Sequence, residues 1–320
     1  MENQKNKSPR CSVVIPVKNG GPRLAKVLDS ILAQNPPGKP ERIVAVDSGS
    51  TDGSLEILKE KGVEIITIPS SEFRHGDTRN LGSSGTSSEV IIFNNQDAIP
   101  ADSNCYRQLM EDLFSDPSCA GVCALLIPHT GCDPLAKRDV LGESGIMTGW
   151  RYTGIPDEKK RSRMKHFHTI CCAVRTDLFR EIPFRSVVFG EDYLWNRDVN
   201  QAGYHTGISG AVARHSHNTF PHPFRFLKIH ADSSYFREKY EPICLFKRIR
   251  WLVGGIFLDW IFIGRQKALG IDRKAGWMAA SPLIRTMQFT GGLLGRYHDH
   301  LPSWLLKRVF FYYPEKGQSD

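Results

Sequence analysis

Three short apolar segments near the start of the chain each end in a polar cluster, and this pattern constrains the fold most. The segments span residues 12–17, 43–46 and 90–93, and polar clusters follow them from Lys18, Asp47 and Asn94. Fully apolar runs of this length are typical of parallel strands buried on both faces. Because ligands of open α/β sheets bind beyond the carboxyl ends of such strands, the pattern predicts a binding site there.

The segments between and after these strands alternate in type. Apolar residues at helical spacing predict a helix over residues 22–34, and Asp52 and Gly62 suit the start and end of a second helix. Further strands are predicted at 63–68, 121–128, 167–174 and 207–213, with a helix at 104–113. This alternation predicts an α/β fold with a doubly wound, mostly parallel, Rossmann-like sheet.

Basic and aromatic residues are concentrated in the last quarter of the chain. The net charge is +8, and residues 243–316 carry twelve Lys and Arg against four Asp and Glu. A uniformly basic surface would indicate nucleic acid, whereas this distribution indicates one basic segment and no nucleic-acid partner. Aromatic and basic residues together are typical of an element at an anionic membrane surface. The alternative is an ordinary helical subdomain that packs Trp251, Phe257 and Trp304 inside. The longest apolar run, Trp251 to Leu258, is too short to cross a bilayer, which takes a helix of about 20 apolar residues.

The cysteines and the N-terminus indicate a cytoplasmic location. Eight cysteines show no C-x-x-C pair, which favours free thiols in a reducing compartment. Residues 1–10 are polar and charged, so no signal peptide is expected.

Several motifs in order resemble the family 2 inverting glycosyltransferases of GT-A fold. They are P-V-K-N at 16–19, V-D-S-G-S-T-D-G-S at 46–54, F-N-N-Q-D-A-I-P at 93–100, F-G-E-D at 189–192, N-Q-A-G-Y at 200–204 and H-S-H at 215–217. The segments H-G-D-T-R-N-L-G at 75–82 and Q-D-A at 96–98 resemble the bacterial rhamnosyltransferase branch. The resemblance implies a GT-A domain at 10–240, with a nucleotide-sugar half at 10–128 and an acceptor half at 129–240. Residues 241–320 are then a helical, basic-aromatic appendage.

The resemblance implies a nucleotide site at the first two strand ends. Asp47 would accept from the imide N–H of uracil or thymine, and Ser48 stands where the family commonly has Asp. Pro16 and Asn19 would line the nucleoside pocket, and Arg79 would approach the pyrophosphate. The alternatives are a turn-forming role for Asp47 and a surface ion pair for Arg79.

A divalent metal ion, Mg²⁺ or Mn²⁺, is implied at the third strand end. Asp97 matches the last Asp of the family's D-x-D motif, Asn95 stands at its first position and Gln96 lies between them. A cation would neutralise charge on the departing diphosphate. His215 matches a late metal ligand, and His217 lies two residues on, on the same face of a strand. His217 is therefore either the alternative ligand or an acceptor-side residue.

The E-D pair carries the predicted chemistry. Inversion requires a base near the acceptor hydroxyl, and the resemblance assigns that role to Asp192, with Glu191 orienting the loop or the acceptor. The alternative is an acidic pair that only stabilises a helix N-terminus. Trp195 and Arg197, on the following turn, are expected on the acceptor side.

The function expected from these features is transfer of L-rhamnose from dTDP-rhamnose to a lipid-linked glycan at the inner face of the cell membrane. A UDP-hexose or UDP-hexosamine donor is the alternative within the class. A sugar nucleotidyltransferase would need a Gly-rich basic loop after the first strand, which residues 16–23 match only in part. A non-catalytic membrane scaffold would not need Asp97 and Asp192.

Overall fold

The computed structural model describes residues 8–148, 151–152, 157, 167–187, 189–220, 222–238 and 240–311. The basic cluster at 159–165 and the aromatic residues Tyr312 and Tyr313 lie outside these residues. The described residues pack as two compact units. The first lies within residues 1–127, 155–187 and 191–215, and the second within 128–154, 188–190 and 216–320.

The strands of the first unit form a mixed sheet. The strands described along the chain are β1 (Cys11–Val17), β2 (Arg42–Asp47), β3 (Glu64–Thr67), β4 (Val90–Asn94), β5 (Ile99–Pro100), β6 (Cys119–Ile127), β7 (Met147–Thr148), β8 (Arg151–Tyr152), β9 (Cys171–Arg175) and β10 (His205–Arg214). The sheet order is β3-β2-β1-β4-β9-β6-β10-β5, while β7 and β8 pair separately in the second unit. β3, β2, β1 and β4 run parallel, and β9 is antiparallel to both its neighbours. The predicted doubly wound, mostly parallel sheet is confirmed.

Helices cover the sheet and build the second unit. The helices described are α1 (Gly21–Leu32), α2 (Ser54–Glu60), α3 (His75–Ser83), α4 (Cys105–Phe114), α5 (Pro134–Glu143), α6 (Thr176–Glu181), α7 (Glu191–Gln201), α8 (Phe224–Arg237), α9 (Leu245–Gly264), α10 (Ile271–Arg296) and α11 (Ser303–Val309). Of these, α5 and α8 to α11 belong to the second unit.

Alternate residues of β1 enter different apolar cores on the two sides of the sheet. Val13 and Ile15 join a core with residues of α1 and α4, whereas Val14 joins one that contains Phe93 and Trp195. Burial on both faces explains why the strand segments contain almost no polar residues.

The sheet register brings the polar strand ends together. Val17 of β1 is paired with Asp47 of β2, and Val14 of β1 with Phe93 of β4. The strands therefore release their following loops at one edge, as the sequence predicts.

The second unit is held by close helix packing and by a buried charge network. A side chain at Gly291 or Gly295 of α10 would collide with the backbone of α8, at the carbonyl groups of Leu227 and Ala231. Arg285 of α10 donates to Asp139 of α5 at 2.7 Å and to the fully buried Asp259 of α9 at 2.7 Å.

This packing divides the chain differently from the expected boundary near residue 240. The ion pairs of Arg285 join α5, from the expected acceptor half, to α9 and α10. Since these pairs are long-range contacts between side chains, the change of composition after residue 240 gives no sign of them.

The appendage is helical as expected, and several of its large aromatic residues are exposed to solvent. Trp251, Phe257 and Trp304 are 50%, 61% and 63% exposed, so they do not form its core. That core uses other residues, among them Ile263, Ile284 and Leu306. Among the described residues, we find no helix with the length and apolarity that a membrane crossing needs.

Candidate active site

Asp47 ends β2 with one carboxylate oxygen bonded and the other unpaired. Its Oδ2 accepts from the backbone N–H groups of Gly49 at 2.9 Å and Ser50 at 3.1 Å. Its Oδ1 is buried and has no hydrogen-bond partner among the described residues. The turn-forming role and the expected ligand role are thus compatible, because each uses a different oxygen. A buried acceptor without a partner is costly unless a ligand supplies a donor.

Asn19 and Ser48 shape the loops beside Asp47. Asn19 has a φ of 50°, and its Oδ1 accepts from the N–H of Thr51 at 2.9 Å. Ser48 is buried, and both its N–H and its hydroxyl donate to the carbonyl of Val17, at 2.9 and 3.2 Å. The half-buried Pro16 precedes this carbonyl on β1. The nucleoside contacts of Pro16, Asn19 and Ser48 stay predictions, and the structure adds that Asn19 and Ser48 fix the loop.

Gln96 ties the third strand-end loop to the first. Its Oε1 accepts from the N–H of Lys18, and its amide nitrogen donates to the carbonyl of Lys18, each at 2.9 Å. The side-chain amide of Gln96 thus forms the two hydrogen bonds to the backbone of Lys18 that a residue of a neighbouring strand would form. The Gln96–Lys18 pair fixes the position of the loop that carries Asp97.

Arg79 joins three elements from a buried position. Its guanidinium donates to Oε1 of Glu191 on α7 at 2.9 Å and to Oδ1 of Asn95 after β4 at 2.9 Å. Arg79 itself lies on α3 and is 2% exposed, so the pair with Glu191 is not on the surface. The hydroxyl of Thr169 also donates to Glu191, at 3.3 Å. The expected pyrophosphate contact of Arg79 stays a prediction.

Asp192 follows Glu191 in the first turn of α7. Gly190, with a φ of 81°, precedes the pair in a backbone conformation that favours glycine. Burial, and then the charge of Glu191, raise the pKa of Asp192 to about 7. A carboxylate with this pKa can take a proton from a reacting hydroxyl near neutral pH. The helix-start alternative therefore does not exclude a catalytic role.

Asp97 and His215 approach each other at one end of the sheet. Antiparallel pairing of β10 with β5 places Arg214 beside Ile99, and Nε2 of His215 lies 3.4 Å from Oδ1 of Asp97. A carboxylate and an imidazole suit Mn²⁺ or Mg²⁺ if phosphate and water complete the shell. The residues thus fit the expected metal. His217 belongs to the second unit, and its role stays a prediction.

Trp195 has a different position from the one expected. It is fully buried against Phe167, Phe179 and Phe184, and its indole N–H donates to the carbonyl of Ile182 at 2.8 Å. A side chain enclosed in the core cannot line an acceptor groove, so Trp195 has a packing role instead. Arg197 is half-buried on the same helix, and its acceptor-side role stays a prediction.

Comparison with known proteins decides the family. Residues 12–183, more than half of the chain, match the family described as glycosyl transferase family 2. The chain belongs to this family. It is therefore an inverting glycosyltransferase, and the GT-A expectation from its motifs is confirmed.

This family 2 glycosyltransferase is similar to two curated Salmonella proteins. It is 33% identical over 227 residues to the O-antigen chain rhamnosyltransferase RfbN of Salmonella typhimurium, covering 66% of this chain and 68% of that protein. It is 28% identical over 223 residues to the O-antigen chain rhamnosyltransferase WbaN of Salmonella anatum, covering 67% and 68%.

Among solved structures, the mannosyltransferase PcManGT from Pyrobaculum calidifontis, in complex with GDP-Man and Mn²⁺, is similar to the glycosyltransferase in fold. The TM-score is 0.59 at 15% identity, covering 92% of this chain and 88% of that one.

Sequence reasoning about the glycosyltransferase missed two connections. Nothing in the motifs pairs Gln96 with Lys18 or joins Arg79 to both Asn95 and Glu191. The sequence does contain one signal for the second connection. Arg79 and Glu191 both lie inside motifs that are expected to be buried at the site, and a buried charge needs a partner of opposite charge.

Proposed function

We propose that this glycosyltransferase moves L-rhamnose from dTDP-L-rhamnose to a hydroxyl of a lipid-linked glycan at the inner face of the cell membrane. The observation that carries the proposal is the 33% identity, over two thirds of both chains, with a protein named an O-antigen chain rhamnosyltransferase. The H-G-D-T-R-N-L-G and Q-D-A segments support the same donor.

The first unit offers a group for the nucleotide base. Oδ1 of Asp47 is a buried acceptor without a described partner, and the imide N–H of thymine is a donor of the right kind. Uracil carries the same imide, so this contact selects a pyrimidine and does not by itself distinguish dTDP from UDP.

Asp97 and His215 would hold Mg²⁺ or Mn²⁺, which supplies positive charge to the diphosphate when bound. Asp97 is the only negatively charged ligand of this pair, and Asn95 adds no second charge, because its amide is neutral and its Oδ1 already accepts from Arg79. We expect metal binding to depend strongly on the donor phosphates for this reason.

Asp192 acts as the general base of the transfer. The acceptor hydroxyl loses its proton to the Asp192 carboxylate while its oxygen attacks the anomeric carbon. The bond from that carbon to the diphosphate oxygen breaks, and the configuration inverts. Glu191 is paired with Arg79, and its charge raises the pKa of Asp192.

A panel of donors tests the proposal. The full chain is incubated with dTDP-rhamnose, UDP-glucose, UDP-galactose and UDP-N-acetylglucosamine, and release of the nucleotide diphosphate is measured with Mn²⁺ and with excess chelator. We expect dTDP-rhamnose to react fastest and chelator to abolish the reaction. Preference for a UDP-sugar would refute dTDP-rhamnose as the donor but not the assignment as a glycosyltransferase. Full activity in excess chelator would refute the proposed requirement for a metal ion.

A further inference from the structure

A cavity in the second unit combines basic side chains with an aromatic wall. It has a volume of about 470 Å³ and lies where α8, α9 and α10 meet. Arg248, Lys247 and Trp251 of α9 line it, with Arg285 of α10 and Glu238 after α8. None of these residues belongs to the active site described above.

Arg248 is buried in this cavity with an unused donor. The residue is 8% exposed, and its Nε has no hydrogen-bond partner among the described residues. Its Nη2 nitrogen contacts Glu238 and donates to the hydroxyl of Ser234, the latter at 2.9 Å. A buried N–H without a partner is costly unless a ligand accepts from it.

The positive charge here is not fully matched. Glu238 faces Arg248 and also lies 3.5 Å from Arg296, so one carboxylate serves two guanidinium groups. Lys247 stacks over the ring of Trp251 at 5.0 Å. Arg285, in contrast, is neutralised by Asp139 and Asp259. Arg237 and Glu241 also line the cavity. With Arg285 set aside, the lining cations Arg237, Lys247 and Arg248 outnumber the carboxylates Glu238 and Glu241, and such a surplus of positive charge suits phosphate oxygens.

An apolar stripe runs along α9 next to the cavity. Its members recur every three or four residues, and they are exposed by 44 to 75%: Phe246, Ile249, Val253, Phe257 and Trp260. At 3.6 residues per turn, this spacing places them on one face of the helix. Lys247 and Trp251 lie on the flank of the same helix. A ligand in the cavity thus has an apolar surface beside it for a chain.

We propose that this cavity binds the phosphate or diphosphate head of a membrane amphiphile whose hydrocarbon chain lies along the α9 stripe. The inference rests on the proposed function, because the lipid carrier of the acceptor glycan is such a molecule. Charge complementarity and the unused donor of Arg248 select the head group, and the stripe selects a lipid over free phosphate. The second unit would then hold the acceptor by its lipid-phosphate end.

Binding of farnesyl diphosphate to the full chain, without donor, tests the proposal. Inorganic pyrophosphate and farnesol are the comparison ligands, and calorimetry gives the three dissociation constants. We expect farnesyl diphosphate to bind saturably and at least about tenfold more tightly than either, because charge-assisted bonds and apolar burial both contribute. If pyrophosphate binds as tightly as farnesyl diphosphate, the hydrocarbon chain does not contribute and the proposed lipid ligand is refuted. Equal affinity for farnesol would refute the phosphate site, and absence of saturable binding would refute both.

Two substitutions on α9 provide a matched pair. Lys247→Gln should weaken farnesyl diphosphate binding about tenfold, since a charged hydrogen bond is lost. Arg250→Gln removes the same charge three residues along the helix, outside the cavity, and should change it less than about twofold. Equal weakening by both would indicate diffuse surface charge and overturn the proposal.

Arg248→Lys keeps the charge but removes the guanidinium fork, and it should also weaken binding about tenfold. If this variant does not fold, the Lys247 and Arg250 comparison still decides. Hydrolysis of the nucleotide sugar should be unchanged by Arg250→Gln, the control outside the cavity. If the wild-type chain prefers a donor other than dTDP-rhamnose, the proposed donor is refuted and the cavity result stays intact.

Discussion

At the scale of single residues, the site depends on how burial distributes charge between neighbouring carboxylates. Glu191 has Arg79 as a partner at 2.9 Å, whereas Asp192 accepts from the N–H of Tyr193. Burial and the fixed charge of Glu191 therefore raise the pKa of Asp192 to about 7. Adjacent carboxylates thus serve different purposes, one structural and one suited to proton transfer.

Asp192→Asn should reduce turnover by about 10²–10⁴-fold, because the amide cannot accept the acceptor's proton. Nucleotide binding should change little. Asp198→Asn on the same helix α7 is the control, since Asp198 pairs with the exposed Arg185. Turnover and nucleotide affinity are measured on both variants, and near-normal transfer by Asp192→Asn would exclude this base.

The rate of transfer should depend on pH through the ionisation of the same carboxyl, Asp192. Asp192 with a pKa of about 7 is protonated and inactive as a base below that value. The rate of transfer should rise as pH increases through about 6 to 8 and then level off. Steady-state rates across this range, with the donor saturating, give the apparent pKa. A rate independent of pH there would contradict the assignment.

At the scale of elements, one buried guanidinium connects the start of α7 to the loop after β4. Arg79 of α3 donates to Glu191 and Asn95 together, so the helix that carries Asp192 and the loop that carries Asp97 share one anchor. The Gln96–Lys18 pair adds a second link, from that loop to the end of β1. The ends of β1 and β4, helix α3 and the start of α7 are thereby fixed relative to one another.

Arg79→Gln should lower the free energy of unfolding by about 3–5 kcal/mol, because it leaves Glu191 charged, buried and unpaired. Arg42→Gln removes a half-exposed pair with Glu64 and should cost at most about 1 kcal/mol. Urea unfolding of both variants measures the difference. Similar costs for the two would show that the Arg79 pair is not structurally important.

At the scale of the whole molecule, the second unit carries exposed apolar residues on a basic background. The α9 stripe and Trp304 are exposed although the helices possess a packed core of their own. Exposed aromatic residues beside Lys and Arg are typical of surfaces that rest on anionic lipid. This supports the expected peripheral association with the membrane.

The full chain should therefore sediment with vesicles that contain anionic lipid at low salt, and less at high salt. Phe246→Ser with Phe257→Ser should reduce sedimentation severalfold, since apolar insertion is lost. Leu32→Ser with Phe114→Ser, at exposed positions of the first unit, is the control. If wild-type protein stays in the supernatant with anionic lipid at low salt, the membrane proposal is wrong.

The sequence by itself determined the first-unit sheet and the elements that carry the chemistry. Apolar strands followed by Asp47 and by Asn95 to Asp97 specify local structure, because strand periodicity and turn residues act over a few positions. The ordered motifs then identified the family. Each of these signals is contained in a short stretch of chain.

Only the tertiary structure decided which charges meet and where the aromatic residues lie. Arg79 pairs with Glu191, which lies 112 positions away in the sequence, and Arg285 pairs with Asp139, which lies 146 positions away. Trp195 is enclosed, while Trp251 is exposed. Partners this distant leave no trace in local spacing, and the burial of an aromatic ring depends on what packs against it. The roles of buried charges and exposed rings therefore follow from packing, which short-range sequence patterns do not encode.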